Sequence, residues 1–486
     1  MKRSDTFFSL IQPIENKNSQ NSIKFRQEGN KKYKENKIFD AIYNYNKAIS
    51  FAQTKVDLAL AYGNRSAAYF EAGKYEECLK SITFAKETGF PSNKMQQLNE
   101  REEKCNKLLK EKKQDPENYF WNYIKLSYPA NKKIPWMIKD LEMRTTKEFG
   151  RGIYATRDLK VGDIICIEES RIHEINDKGF FKCCNNCAKT NMMNLIPCLK
   201  TANFMFCSTD CRDEFYEYAD LSLKNFHKGI HFMNKLRKVF GGRENFIQFI
   251  CNRQTCSIFD FDFRNINQAN CLVNIYKCFW SSTQTHIPFI DMFQSPFSNF
   301  INYSIHEFHY KNENEVFARS KLPVSNIEKD IQFEKLCFTI FYALLNHSCL
   351  SNIDYVCINN TAIFYVKKPI EKNEQLFVAY GDMNMKQHAN VLSIFGVFNC
   401  DCIACVENLS FHDPPYEDIV QVTKLFCITD FKIHSVSNAM EIISKLFAIL
   451  NNCKRPISLE RHLSNIYIKK IFYFLANVSI FPAQKI

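Results

Sequence analysis

Two groups of closely spaced cysteines constrain the fold of this 486-residue chain more than any other feature. In the first group, a Cys-x2-Cys pair at 184 and 187 is followed about twenty residues later by a Cys-x3-Cys pair at 207 and 211. The second group is a Cys-x-Cys-x2-Cys run at 400–405, and Cys349 stands upstream of it beside an Asn-His pair. Cysteines at these spacings are typical zinc ligands, so the sequence predicts two structural zinc sites.

The composition places these thiols in a reducing compartment. The chain has 21 cysteines, but its N-terminus lacks the charged-then-apolar pattern of a secretory signal. No apolar run approaches the ~18 residues of a transmembrane helix, so no membrane association is expected. We therefore expect residence in the nucleus, the cytoplasm or both, with clustered cysteines binding metal and scattered ones filling cores. The net charge of +12, spread over this length, does not favour direct nucleic-acid binding.

Residues 21–112 read as helical, and two segments of this region match each other. Gly29-Asn30 corresponds to Gly63-Asn64, and from Asn36 and Gly73 onward the matched positions keep an offset of about 37 residues, near the tetratricopeptide (TPR) period of 34. The order of turn, aromatic and alanine resembles TPR repeats. Such repeats present either a concave peptide-binding face or a purely structural surface against the next domain, and the sequence leaves both open.

The middle of the chain changes to short β-like runs from Leu141. A Gly-Arg-Gly sequence at 150–152 places two glycines around an arginine between strands, and a Val-Gly-Asp turn precedes a strand at 164–167. Residues 333–345 are predicted to form an apolar helix that leads into the Asn-His-Ser-Cys motif at 346–349. Near the C-terminus, 439–447 and 466–475 are amphipathic with helical period.

The order of these motifs resembles a split SET domain interrupted by a MYND zinc finger. The motifs are Gly-Arg-Gly, the first cysteine group, Asn-His-Ser-Cys, Ala-Tyr-Gly at 379–381 and the terminal cysteine run. The chain thus resembles the SET and MYND domain protein-lysine methyltransferases, in particular the TPR-bearing branch. The resemblance covers roughly 21–110 and 141–410. It implies transfer of a methyl group from S-adenosylmethionine (SAM) to a lysine of a histone or non-histone protein, by a monomer whose TPR and MYND modules bind peptide partners.

The resemblance also implies site residues. Tyr380 would line the lysine channel as the catalytic residue and contact the cofactor. The further cofactor-binding residues would be Arg151, Asn302, Ser304, Asn346, His347 and Phe398. The zinc ligands would be Cys184, Cys187, Cys207 and Cys211 in the finger, and Cys349, Cys400, Cys402 and Cys405 behind the SET core.

The chain departs from the family pattern at several positions. Gly396, with Phe395 alongside, stands where a second channel tyrosine is usual, Ser351 replaces a proline, and Phe149 replaces a lysine beside the glycine turn. Ser304 replaces an asparagine of the cofactor-binding strand. In the finger, only Cys198 remains of the second metal site. The positions that would complete that site are occupied by Thr201, Ala219 or Asp220, and Lys224, while His227 and His231 lie out of register. We therefore predict two zincs per chain rather than three.

The expected fold is a multidomain α+β protein. Its parts would be TPR-like repeats (21–112), the first part of the SET domain (141–182), a MYND finger (183–231), a helical or irregular insert (232–330), the SET core with its zinc (331–410) and a small C-terminal helical region (415–486). The expected function is a SAM-dependent protein-lysine N-methyltransferase. The alternative is a catalytically weak SET/MYND adaptor that acts as a scaffold in transcriptional repression or protein assembly.

Overall fold

The computed structural model describes residues 11–111, 120–147, 149–169, 172–175, 180–189, 194–219, 221, 225–227, 335–358, 361–379, 402–407, 436–454 and 458–480. It is a mixed structure with an N-terminal helical part and a β-rich centre. Its α-helices are α1 (Ser19–Lys34), α2 (Ile38–Phe51), α3 (Lys55–Glu71), α4 (Tyr75–Glu87), α5 (Met95–Glu111), α6 (Thr209–Tyr218), α7 (Ile340–Leu344), α8 (Ile403–Val406), α9 (Val436–Asn452) and α10 (Leu459–Ile480).

The described strands are short. They are β1 (Ile11–Pro13), β2 (Leu141–Thr146), β3 (Gly150–Ala155), β4 (Ile164–Glu169), β5 (Ile172–Ile175), β6 (Ile196–Pro197), β7 (Met205–Phe206), β8 (Asn225–His227), β9 (Lys335–Phe338), β10 (Asn346–His347), β11 (Ile353–Ile358), β12 (Thr361–Val366) and β13 (Phe377–Val378). Single 3-10 turns lie at Ser92–Lys94 and Phe120–Asn122.

The helical region, residues 19–111, consists of two similar helix pairs and a fifth helix. Equivalent turns separate α1 from α2 and α3 from α4, each with a residue of positive φ, Asn36 at 57° and Gly73 at 66°. Asn and Gly tolerate this left-handed conformation better than other residues, which is why the sequence repeat is visible there. The N-terminal part of the chain is thus helical, as the sequence predicts.

Matched glycines let the helices of this region approach closely. A Cβ on Gly29 would lie 2.5 Å from the ring of Tyr45, and one on Gly63 would lie 2.4 Å from the ring of Phe90. The asparagines that follow these glycines are 34 residues apart, and their side chains hydrogen-bond at 2.7 Å. The repeat in the sequence therefore corresponds to a repeated helix contact in the structure.

The β-rich centre is built from several small sheets rather than one large one. Strands β4 and β11 flank β12 in an antiparallel three-stranded sheet, while β2 pairs with β3 and β5 with β9. Gly162, at φ 92°, forms the turn before β4, as expected from the Val-Gly-Asp sequence. The Gly-Arg-Gly sequence opens β3 itself instead of lying between strands.

The helix predicted for 333–345 is wrong over the first part of its described length. Lys335–Phe338 forms β9, which pairs antiparallel with β5, and only Ile340–Leu344 is helical. A short apolar run fits either a strand or a buried helix, and the partner strand that decides between them lies some 160 residues earlier in the chain.

The two C-terminal helices contain the amphipathic segments seen in the sequence, and they pack on the central sheet. The Tyr365 ring of β12 lies 5.5 Å from Phe447 of α9 and 6.2 Å from Phe472 of α10. These helices share one apolar core with β11 and β12, so they close one face of the sheet. Among the described residues, no helix is long and apolar enough to span a membrane.

Candidate functional site

A parallel strand pair forms the centre of the candidate site. Strand β10 pairs with β13 so that Asn346 lies opposite Phe377 and His347 opposite Val378. Ser348 continues the pairing, since its N–H donates to the Val378 carbonyl at 3.2 Å. The Asn-His-Ser-Cys motif is thereby placed directly beside the strand that precedes the Ala-Tyr-Gly motif.

Asn352 holds this crossing together. Its side-chain oxygen accepts from the Phe377 N–H at 2.8 Å, and its Nδ2 donates to the Gln375 carbonyl at 2.8 Å. Its own carbonyl accepts from the N–H groups of Lys367 and Lys368. One largely buried asparagine therefore satisfies backbone groups of two segments that would otherwise be unpaired.

Ser351 has a role in the same loop. Its N–H donates to the Ser348 carbonyl at 3.1 Å, a bond that proline, which lacks an N–H, would not form. The replacement of the family's usual proline thus adds a turn hydrogen bond within the motif.

The glycine turn packs against the crossing. Gly150 has φ 64°, and the Nδ2 of Asn346 donates to the Phe149 carbonyl at 3.1 Å. A Cβ on Gly152 would lie 2.1 Å from Nε2 of Gln375 and 3.1 Å from Nδ2 of Asn346. Only glycine leaves room at this position for two side-chain amides to face the backbone of the turn.

Gln375 is buried at this contact, with 5% of its surface exposed. Its Oε1 accepts from the Tyr154 hydroxyl at 2.9 Å, while its Nε2 has no hydrogen-bond partner among the described residues. A buried amide N–H without a partner is costly, so this donor is available for another group at the turn.

An aromatic pair lies beside the turn where the family has a lysine. The exposed ring of Phe149 packs edge-on against Phe377, with 5.5 Å between the ring centroids. This side of the candidate site is apolar rather than cationic.

The second cysteine cluster adjoins the crossing. Ligand atoms of Cys349, Cys402 and Cys405 lie within 4.8 Å of one another, and the sulfurs of Cys349 and Cys405 are 3.3 Å apart. Nε2 of His347 lies 3.4 Å from the Cys349 sulfur. A metal bound by these thiols would therefore be two residues from the strand that forms the site.

The first cysteine cluster is complete in the structure. Cys184, Cys187, Cys207 and Cys211 place their sulfurs within 4.8 Å of one another. The Cys187–Cys207 and Cys207–Cys211 separations are 3.6 and 3.5 Å, close to the edge of about 3.8 Å expected for a tetrahedron of thiolates around zinc. Hydrogen bonds from Cys184, and from Cys187 and Cys207, lower the pKa of Cys211, which favours the thiolate that a metal requires.

Local hydrogen bonds shape the loops that carry these cysteines. The Cys184 N–H donates to the Lys189 carbonyl, and the Met205 N–H donates to Oδ1 of Asn185 at 2.7 Å. Ser208 caps α6 through the Cys211 N–H. Each Cys-x2-3-Cys pair therefore lies in a compact turn, the second at a helix N-terminus.

Cys198 has hydrogen-bonding neighbours in place of further cysteines. It is buried, its sulfur lies 3.3 Å from the Tyr216 hydroxyl, and the Thr201 hydroxyl donates to it at 3.5 Å. The Leu199 N–H also donates to the Tyr216 oxygen. Within the described part of the chain, the two cysteine clusters are the groups whose geometry could hold a metal ion.

Several residues named from the sequence lie outside the described residues. These are Asn302, Ser304, Tyr380, Phe395, Gly396, Phe398 and Cys400. Arg151 is described through its backbone, which pairs with Thr145. Of the residues the resemblance assigned to the cofactor, the structure brings together Asn346, His347 and the glycine turn.

Three residues of the site were not identified as site residues from the sequence. Tyr154 and Gln375 are 221 positions apart, and neither belongs to a recognisable motif. Asn352 closes the Asn-His-Ser-Cys loop, and an asparagine directly before a β-like run was the only hint of its structural role.

Comparisons with known proteins agree with this geometry. A model of the SET domain matches residues 150–381, which begin at the glycine turn and end at Gly381. The "Protein-lysine N-methyltransferase SMYD4" of Danio rerio is 24% identical over 220 residues, covering 41% of this chain and 29% of that protein. The SMYD4 of Homo sapiens is 37% identical over 90 residues, 18% of this chain and 11% of that protein.

A third relative covers more of its own length at lower identity. "SET domain-containing protein 3" of Caenorhabditis elegans is 22% identical over 349 residues, 63% of this chain and 68% of that protein. The chain spans less than a third of the length of the SMYD4 relatives it matches. Taken with the paired β10 and β13 strands, the SET match and the similarity to the SMYD4 proteins support a SET and MYND domain methyltransferase family assignment for this chain.

Proposed function

We propose that this chain transfers a methyl group from SAM to a lysine side chain of a protein, histone or non-histone. The observation that carries the proposal is the parallel pairing of β10 with β13 inside the matched SET region. This crossing sets Asn346 against the glycine turn. The SMYD4 relatives are named as protein-lysine N-methyltransferases, which supports the same reaction class.

The residues around the crossing fit a ligand with an amino-acid end. The amides of Asn346 and Gln375 face the backbone at Gly152, and the unpartnered Nε2 of Gln375 is a hydrogen-bond donor. Amide and backbone donors suit a carboxylate, which accepts several hydrogen bonds at once. We assign the cofactor to Arg151, Asn302, Ser304, Asn346, His347, Tyr380 and Phe398. Because Phe149 stands where the family has a lysine, we propose Arg151 as the basic residue that binds the cofactor.

The chain's own contribution to the reaction is desolvation and positioning. Bound SAM would supply a sulfonium-activated methyl group. The incoming lysine amine must be neutral to attack, although its pKa in water is about 10.4. Burial in an apolar channel lowers that pKa because it disfavours the charged form. Holding the amine in line with the methyl carbon then supplies most of the rate, and no strong acid or base is required.

Tyr380 is the residue we propose for orienting the amine. It follows Ala379, whose carbonyl lies 3.5 Å from the Tyr342 hydroxyl, and this contact ties the end of β13 to α7. Since Gly396 stands where a second tyrosine is usual, the Tyr380 hydroxyl would carry the orienting role alone.

The flanking modules are proposed as follows. The helix pairs of 21–112 are TPR-like repeats, the segment 183–231 is a MYND-type finger, and each of the two cysteine clusters holds one zinc. Four thiols at the separations given above suit zinc, and Cys400 would complete the second cluster.

The proposal is tested by methyl transfer from labelled SAM to a lysine-containing peptide library. The unaltered chain is expected to label a subset of peptides, and Tyr380→Phe is expected to lower the rate about 10- to 100-fold, the loss of about 1.4–2.7 kcal/mol of transition-state stabilisation. Tyr33→Phe, which removes a phenol hydroxyl in the helical region, serves as the matched control and should keep the full rate. SAM binding without labelling of any peptide would favour the adaptor instead.

A further inference from the structure

Several polar side chains of the helical region are completely buried. Asn46, Ser50, Arg65 and Ser81 each have 0% of their surface exposed. Polar residues at the surface of a helical repeat usually face solvent or a bound peptide. Here Asn46, Ser50 and Arg65 hydrogen-bond to the cysteine module, defined as residues 180–189 and 194–219.

Arg65 makes the central contacts of this junction. Its Nη1 donates to the Leu195 carbonyl at 2.7 Å and to Oδ1 of Asn46 at 2.8 Å, and its Nη2 donates to Oδ1 of Asn194 at 2.8 Å. Its Nε donates to the Ser81 hydroxyl at 3.2 Å. The guanidinium thus donates hydrogen bonds both to the helices and to the module.

This guanidinium is held by neutral acceptors and aromatic rings. In the part of the chain that the structure describes, no carboxylate forms a salt bridge with Arg65, while the ring of Tyr62 lies 5.0 Å from its Cζ. Burial lowers the pKa of Arg65, because a charge removed from water is destabilised unless its donors are satisfied. Two of its four acceptors belong to the cysteine module, so undocking would leave those donors without partners.

Further contacts lie along the same face of the helices. Nδ2 of Asn46 donates to the Phe181 carbonyl at 2.8 Å, and the Ser50 hydroxyl donates to the Ala202 carbonyl. The ammonium of Lys47 lies over the ring of Phe181, 5.8 Å from its centroid. The helical region therefore contacts the module before its first cysteine pair and between the two pairs.

The residues that make these contacts are close in sequence to the metal ligands. Phe181 precedes Cys184 by three residues. Asn194 and Leu195 lead into β6, and Ala202 leads into β7, directly before Cys207. Strand β7 in turn bonds to Asn185 through Met205. Contacts that hold these residues in place therefore also hold the loops that carry both cysteine pairs.

We propose that this polar face of the helical region is a docking platform for the chain's own cysteine module and not a site for a peptide partner. The segment 194–202 occupies the face as an internal ligand, and Arg65 is the positioning residue that couples the helices to the geometry of Cys184, Cys187, Cys207 and Cys211. The coupling rests on the metal-binding part of the proposed function but not on methyl transfer.

The test is the reactivity of individual cysteines in the zinc-loaded full chain. Alkylation rates are measured for each cysteine by mass spectrometry after exposure to iodoacetamide, in the unaltered protein and in Arg65→Met. The four cysteines of the first cluster are expected to react about tenfold faster in the variant, the factor that about 1.4 kcal/mol of lost docking energy produces. Cys402 and Cys405 act as internal references and should keep their rates.

A matched control separates docking from general loss of stability. Arg101 donates to the Gly63 carbonyl at 3.2 Å and to the Ser66 hydroxyl at 2.8 Å, both inside the helical region. Arg101→Met should leave the alkylation rates of the first cluster unchanged within about twofold. An equal increase in both variants would overturn the proposal.

A milder variant covers the case in which Arg65→Met unfolds the helices. Asn194→Ala removes one acceptor of Arg65 from the module side only and leaves the helices intact. With helical circular dichroism retained, it should accelerate alkylation of the same four cysteines. Unchanged rates in this variant and in a folded Arg65→Met would show that the platform does not act on the metal site.

Discussion

Cys211→Ser is expected to remove one zinc per chain and to unfold the cysteine module. The only sheet described within the module is the two-residue pairing of β6 with β7, so the loops that carry the cysteines depend on the metal for their internal order. Structural zinc in small finger modules contributes about 10–16 kcal/mol of apparent binding free energy at neutral pH, so loss of one of the four ligands should be decisive. The measurement is zinc content per chain after extensive dialysis, with two zincs expected in the unaltered protein and one in the variant.

Cys198→Ser is the matched control for this prediction. It lies in the same module and is buried, but it contacts Tyr216 and Thr201 instead of the cluster. The control should keep both zincs. Three tightly held zincs in the unaltered chain would contradict the interpretation of Cys198, and two zincs in Cys211→Ser would contradict the assignment of the ligands.

Gly152→Ala is expected to weaken SAM binding strongly while leaving the protein folded. The new Cβ would meet the amide of Gln375, whose oxygen is fixed by Tyr154, and would crowd Nδ2 of Asn346. Crowding a packed interior typically costs about 1–3 kcal/mol of stability, and here it displaces both amides that face the turn. Titration calorimetry should show affinity for SAM reduced by about 100-fold or more, which corresponds to about 2.7 kcal/mol.

Gly29→Ala provides a control with the same kind of clash at a distance from the site. Its Cβ would meet the Tyr45 ring at 2.5 Å inside the helical region. Gly29→Ala should lower the melting temperature about as much as Gly152→Ala does, and it should leave SAM affinity unchanged. Equal SAM affinity in Gly152→Ala and the unaltered protein would show that the turn does not form the cofactor site.

Features that are local in sequence could be predicted well. The cysteine turns at 184–187 and 207–211 depend on neighbouring residues, and the structure brings all four thiols together. The helix pairs could be predicted because Asn36 and Gly73 mark equivalent turns in a regular pattern.

Features that depend on distant partners could not be predicted from residue patterns. Strand β9 was mistaken for a helix because its partner β5 lies far upstream. The contact of Gly152 with Gln375 joins segments more than 200 residues apart, and only the family resemblance indicated that the two ends would meet. The burial of Arg65 could not be predicted from the sequence either, since an arginine on a helix ordinarily faces water.

The most direct test of the account is calorimetric titration of SAM into the zinc-loaded full chain. We expect saturable binding of one SAM per chain, weakened by about 100-fold or more in Gly152→Ala and retained in Gly29→Ala. An absence of detectable SAM binding by the unaltered, folded protein would contradict the methyltransferase function.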